Sequence, residues 1–341
     1  MTETSETSET SEGAEAEGVA VAVAVTVAVG MVWDADGGGH GVGDGVGGGA
    51  GAGRREPLLV DVFTGIRRSL SMTGTDLVML AAARPQDGVD AYVDAARRHG
   101  LDGVIVMGVD EGHPALTALT ASGLACVAVD LPLYRNRTTY VASDHRAGAA
   151  SAVGYLHGLG HRAIATVTGP LSLMPTVERL VGYRFEMART GAAVRPEYVV
   201  SGDYTEESGY ECARRLMSLA EPPTAVFAAD DRMAVGVMRA LADLGVSVPG
   251  EVSVVGFDDG EAASLVRPGL TTVAQDHAGI GAGVVELLVR TIGMGSFEGD
   301  GGGDGGGGGY GEVRQRRRAA EPVLVPTRLV VRGSCAAVAG G

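Results

Sequence analysis

The chain has 341 residues, enough for two domains with cores of their own. Its formal charge of −15 excludes attraction to phosphate backbones by net charge, so nucleic-acid contact would need a local basic surface, and the sequence shows little of one. Cys126, Cys212 and Cys335 form no Cys-x-x-Cys pair and have no histidine at metal-ligand spacing; no metal site or cofactor is called for, and a reducing compartment fits.

Residues 1–18 hold six glutamates and no basic residue, in a near-repeat TETSETSETSEG. A polar, like-charged segment without apolar anchors is predicted to be a disordered tail. The run 18–33 (GVAVAVAVTVAVGMVW) is too short for a membrane span and lacks a basic flank. Its β-branched valines favour a buried parallel strand over 25–32. With no membrane or targeting segment, a soluble cytoplasmic protein is expected. Residues 37–53 are a glycine-rich tract predicted as a surface insertion, and Gly43–Gly48 satisfies G-x-G-x-x-G by chance: no helix opens there and no acid follows at the required distance.

Further strands are predicted at 76–80, 103–107, 125–129, 163–167, 225–228, 252–256 and 270–274. Helices are predicted at 58–71, 88–99, 114–121, 144–158, 176–189, 206–220, 231–244 and 280–292. Most strands are continuous apolar runs, as when helices cover both faces of a sheet. The alternation implies an α/β fold of doubly wound parallel sheets. Its length favours two lobes with a ligand cleft between them. Lobe boundaries are placed at 19–160 with 275–297, and at 161–274 with 320–333. A second glycine tract and the basic run Arg314–Arg318 make 298–319 a solvated loop. Cys126, inside an apolar run, is read as a small buried hydrophobe. His157 and His161, around a helix end, are read as complementing its dipole.

The densest chemistry lies in 225–272, AVFAADDRMAVGVMRALADLGVSVPGEVSVVGFDDGEAASLVRPGLTT. Two apolar strands each end in an aspartate pair, which places Asp230, Asp231, Asp258 and Asp259 at the carboxyl edge of a parallel sheet. Open α/β sheets bind ligands at that edge. Asp231 is expected to cap the helix it opens, and Asp259 to make a loop hydrogen bond or a cap. Trp33 would end the first strand, either stacking on a sugar face or joining the core.

That stretch resembles the LacI/GalR family of transcriptional regulators. So do 57–70 (PLLVDVFTGIRRSL), 143–169 (SDHRAGAASAVGYLHGLGHRAIATVTG), 178–183 (ERLVGY) and 323–333 (VLVPTRLVVRG). The resemblance spans about 25–333 and implies a type I periplasmic-binding-protein-like fold that senses a small-molecule effector and forms a homodimer. It implies ligand-binding roles for Asp144, Arg179, Asp258 and, more weakly, Gln275. Asp230 falls where the family often has asparagine; an acceptor in place of a mixed donor–acceptor favours a ligand rich in donors, such as an amine or a hydroxyl-rich compound. The family's helix-turn-helix is not visible in residues 1–18, so DNA contact would depend on a missing N-terminal module or a partner. Two other readings stay open: a solute-binding protein for a transporter, which would need an export signal, and a carboxylate-based hydrolase, which lacks a nucleophile–base set.

Overall fold

The structure, a computed structural model, describes residues 28–33, 56–80, 89–109, 111, 113–133, 137–293 and 320–338. The acidic tail, both glycine tracts and the basic run lie outside the described residues. In chain order the elements are β1 (Ala28–Trp33), α1 (Glu56–Thr73), β2 (Asp76–Leu80), α2 (Ala91–Arg98), β3 (Gly103–Met107), α3 (Pro114–Ala121), β4 (Ala125–Val129) and β5 (Thr138–Ser143). Then come α4 (His145–Gly158), β6 (Ile164–Thr168), α5 (Met174–Arg189), β7 (Val199–Ser201), α6 (Glu206–Met217), β8 (Ala225–Ala228), α7 (Asp231–Asp243), β9 (Ser253–Asp258) and α8 (Glu261–Leu265). The chain closes with β10 (Thr271–Ala274), α9 (His277–Gly293), β11 (Val323–Val325) and β12 (Arg328–Val330).

Two parallel-rich sheets form, as the apolar runs predict, but each has six strands, twelve where eight were predicted. The first has the order β11-β5-β4-β3-β1-β2 with every pair parallel. The second has the order β12-β10-β9-β8-β6-β7, and only its edge strand β12 runs antiparallel. Alternate residues of each strand point to opposite faces, so each sheet feeds two cores. Ile105, Met107, Val127 and Val141 pack with Ile66 and Leu288 of α1 and α9; Val104, Val106, Cys126 and Ala128 pack with Val93 and Leu119 of α2 and α3. In the second sheet Val167, Val226 and Val254 meet α6 and α7, while Phe227, Val255, Phe257 and Val273 meet α4 and α5. Cys126 is the small hydrophobe expected, and burial pushes its thiol up to about 12.

Three expectations are corrected, and two strands that were not expected are added. The tail segment 320–333 does not belong wholly to the second lobe: β11 extends the first sheet and β12 the second. Helix α4 packs on α5 and on the second sheet, so the first lobe ends at β5 and not at residue 160. The strands β5 and β7 went unread because β5 is rich in threonine and β7 is only three residues long. His161 does not serve a helix dipole. It is buried, it bonds Thr224 at Nδ1 and Ser253 at Nε2, and burial lowers its pKa, so it ties β6 and β8 to β9 as a polar core residue.

Three crossovers join the lobes: β5 to α4, β10 to α9, and β11 to β12. They are bonded side by side where they pass. Asp144 N donates to Val325 O at 2.8 Å, and Ser143 Oγ donates to Gln275 Oε1 at 2.6 Å. Among the described residues no helix is long and apolar enough to cross a membrane.

Candidate functional site

Both sheets turn their carboxyl edges toward the gap between the lobes, and a cavity of about 360 Å³ lies there. That volume falls within the range of small-molecule sites, roughly 300–1,000 Å³. Val109, Val129 and Leu131 line it from the first lobe; Leu173, Met174 and Pro175 line it from the second. Its polar groups come from strand ends and helix starts.

Arg179, on α5, is the centre of the arrangement. It is 5 % exposed and fixed on every side. Nη1 donates to Ala229 O, Nη2 donates to Asp258 Oδ1 at 3.3 Å, and Nε donates to His145 Nδ1 at 3.3 Å. Its guanidinium stacks over the Phe257 ring, 3.8 Å from the centroid. Because His145 Nδ1 accepts, the proton of the neutral ring sits on Nε2, which donates to Asp130 Oδ1 at 3.0 Å. The chain Asp258–Arg179–His145–Asp130 therefore runs from β9 in the second lobe to the end of β4 in the first. Burial works to raise the Asp130 carboxyl, but its His145 partner and the Arg179 charge outweigh it and hold it below the usual carboxylate range.

Asp230 caps α7: its Oδ1 accepts from Met233 N at 2.8 Å. It also lines the cavity, and among the described residues its Oδ2 accepts no hydrogen bond. Burial, then the nearby Asp258 charge, pushes its pKa up to about 7. Asp258 is raised as well, by burial, against the lowering influence of Arg179 and Gln275. Gln275 Nε2 donates to Asp258 Oδ1 at 2.7 Å while its Oε1 accepts from Ser143, so Gln275 positions Asp258 from the crossover.

Asp231 is not the cap. Its Oδ1 accepts from Thr272 Oγ1 at 2.5 Å and its Oδ2 from Gly260 N at 2.8 Å, which pins the loop after β9. Gly256 makes this possible, since a Cβ there would overlap the Asp231 carboxylate. Asp259 forms an ion pair with Arg332 at 2.5 Å. Asp144 has its Oδ1 engaged by Ala147 N at 2.9 Å as the cap of α4, and the cavity wall at that point is Asp130 instead. Trp33 ends β1 at the cleft edge in register with Met107; its side chain lies outside the described residues.

Asp130 and Tyr204, with Glu111, Arg232 and Glu261 beside them, are polar cavity residues that the sequence reading passed over. Asp130 had a signal: an acid directly after an apolar strand, the same pattern that singled out Asp258. Tyr204 had none. It sits at φ +66°, hydrogen-bonds Thr176 Oγ1, and passes so close to Gly169 that a Cβ there would overlap its ring. Asp130 at φ +52° and Asp258 at φ +114° are also left-handed. Such residues cost of order 1–3 kcal/mol each and cluster at ligand clamps.

A model of the periplasmic binding protein-like domain matches residues 153–335. The ribose operon repressor of Escherichia coli is 30% identical over 237 residues, covering 69% of this chain and 72% of that one. The chain belongs to the LacI/GalR family of transcriptional regulators. A second family member, the regulator CelR of Thermobifida fusca, is 34% identical over 242 residues and 70% of each chain. The solved CelR–cellobiose complex superposes with a TM-score of 0.72 at 26% identity, covering 90% of this chain and 84% of that one. The lac repressor dimer bound to operator superposes with a TM-score of 0.68 at 23% identity over 92% of this chain and 95% of that one, a likeness of fold. These LacI/GalR relatives are regulators of transcription and not enzymes.

Proposed function

We propose that the interlobe cavity binds a small polar effector and that binding closes the lobes. The observation that carries this reading is the fixed Arg179–Asp258 pair, with the free Asp230 oxygen beside it, in a walled cavity spanned by both lobes. Carboxylates accept from vicinal hydroxyls, and the rigid arginine fork donates to a ring or hydroxyl oxygen. CelR was solved with cellobiose, which supports a sugar or similar polyol here. Closure moves one sheet against the other about the three crossovers and re-angles the first lobes across a homodimer. DNA engagement then comes through an N-terminal module or a partner. Kinship with repressors favours this reading over a transporter's solute-binding protein.

The test is thermal shift of the purified chain against sugars, polyols and nucleosides. A stabilising compound is expected, with the shift lost in Asp258→Asn. Conversion of that compound to a product during incubation would contradict the sensor reading.

A further inference from the structure

The charge around the cavity is lopsided. Asp130, Asp230, Asp231 and Asp258 line it with Glu111 and Glu261, and among the described residues only Arg179 and Arg232 oppose them. Three of the five N–H donors of Arg179 are already engaged, by His145, Ala229 and Asp258. Asp230, 6 % exposed, keeps one carboxylate oxygen with no hydrogen bond among the described residues, and so does Asp258. Carboxylate oxygens that open into a cavity and have no protein donor are best met by an incoming donor, above all a cation. A neutral sugar brings as many acceptors as donors and leaves the excess uncorrected.

We propose that the effector carries a protonated primary amine, as in an amino sugar or amino polyol, and that its ammonium sits between the free oxygens of Asp230 and Asp258. This rests on the effector-site reading above and names its ligand class. An –NH₃⁺ group has three donors and no acceptor, which suits two facing carboxylates. The apolar wall of Leu173, Met174 and Pro175 takes the carbon skeleton.

Proton linkage follows from the same geometry. The groups facing Asp230 are Asp258 from β9, Arg179 from α5, Arg232 and Asp231 from α7, and Tyr204. With Asp230 pushed up to about 7, an arriving cation drives its proton off. Amine binding therefore tightens as pH rises from about 6 to about 8, as long as the amine stays protonated.

The experiment is calorimetry on the full chain with matched pairs: glucosamine against glucose, galactosamine against galactose, and 1-amino-1-deoxysorbitol against sorbitol. In at least one pair the amine is expected to bind more tightly than its neutral partner by about tenfold or more, with proton release in buffers of differing ionisation enthalpy. Asp230→Asn keeps the capping oxygen and should abolish both the preference and the proton release. Neutral members binding as tightly as amines would overturn the amine assignment and leave the effector site standing. No heat from any member, amine or neutral, would overturn both. A preference unchanged in Asp230→Asn would place the amine elsewhere and overturn the assignment.

Discussion

Asp230 has two duties at one carboxylate. One oxygen caps α7 and the other faces the cavity. Its raised pKa has a stability consequence whose sign is fixed. Between about 4 and about 7 the folded chain holds a proton on Asp230 that the unfolded chain has released. Stability therefore falls as pH rises through that window and levels off above it. The shift sets an upper bound of roughly 4 kcal/mol on the effect. Asp231 and Asp258, also raised, act in the same direction, and Asp130, lowered, acts against them. Urea unfolding followed from pH 4.5 to 8 should show the decline in the wild type and a shallower one in Asp230→Asn. Equal slopes would remove Asp230 from the account. Arg179, by contrast, is not replaceable by lysine. A lysine has no planar fork for His145, Ala229 and Asp258 at once, and no flat face for Phe257. Arg179→Lys should lose effector binding while remaining folded by circular dichroism.

At the scale of elements, helix starts and strand ends explain which aspartates reach the cavity. A cap needs its side chain folded back over the first turn. Asp144 does this and does not line the cavity, whereas Asp230 does it and lines the cavity as well. Asp144→Ala should cost about 1 kcal/mol of stability and leave effector-induced stabilisation intact. A loss of binding with unchanged stability would restore Asp144 to the ligand. Gly256→Ala meets the Asp231 carboxylate on a packed strand and should cost about 1–3 kcal/mol by chemical denaturation. The long elements were legible in the sequence because β3, β4, β6, β8 and β9 are continuous apolar runs and α7 opens at an acid. The short ones were not. β11 and β12 are three residues each, and a period of two cannot be read over three positions. Their assignment to different sheets depends on pairing across more than 180 residues, β11 with β5.

At the scale of the whole molecule, the two sheets are held by three crossovers and one polar chain, Asp258–Arg179–His145–Asp130, that crosses the cleft. That chain was only half legible. Asp258 and Arg179 stood out by motif, but His145 is hidden in the first turn of α4, and its partner Asp130 lies 15 residues upstream. No local spacing connects them; only the closing of two lobes does. The family's homodimer is proposed to read this closure, and sedimentation equilibrium should give a dimer mass at micromolar concentration. The central claim is that an effector binds between the lobes and closes them. Hydrogen exchange, with and without the tightest compound of the calorimetric panel, tests it most directly. Slowed exchange is predicted in 108–109, 129–131, 173–179, 229–233 and 258–262 together with the crossovers at 143–145 and 274–277, and little change at β2 and β7 on the far edges. Protection confined to one lobe, or absent from these segments while the compound is bound, would contradict it.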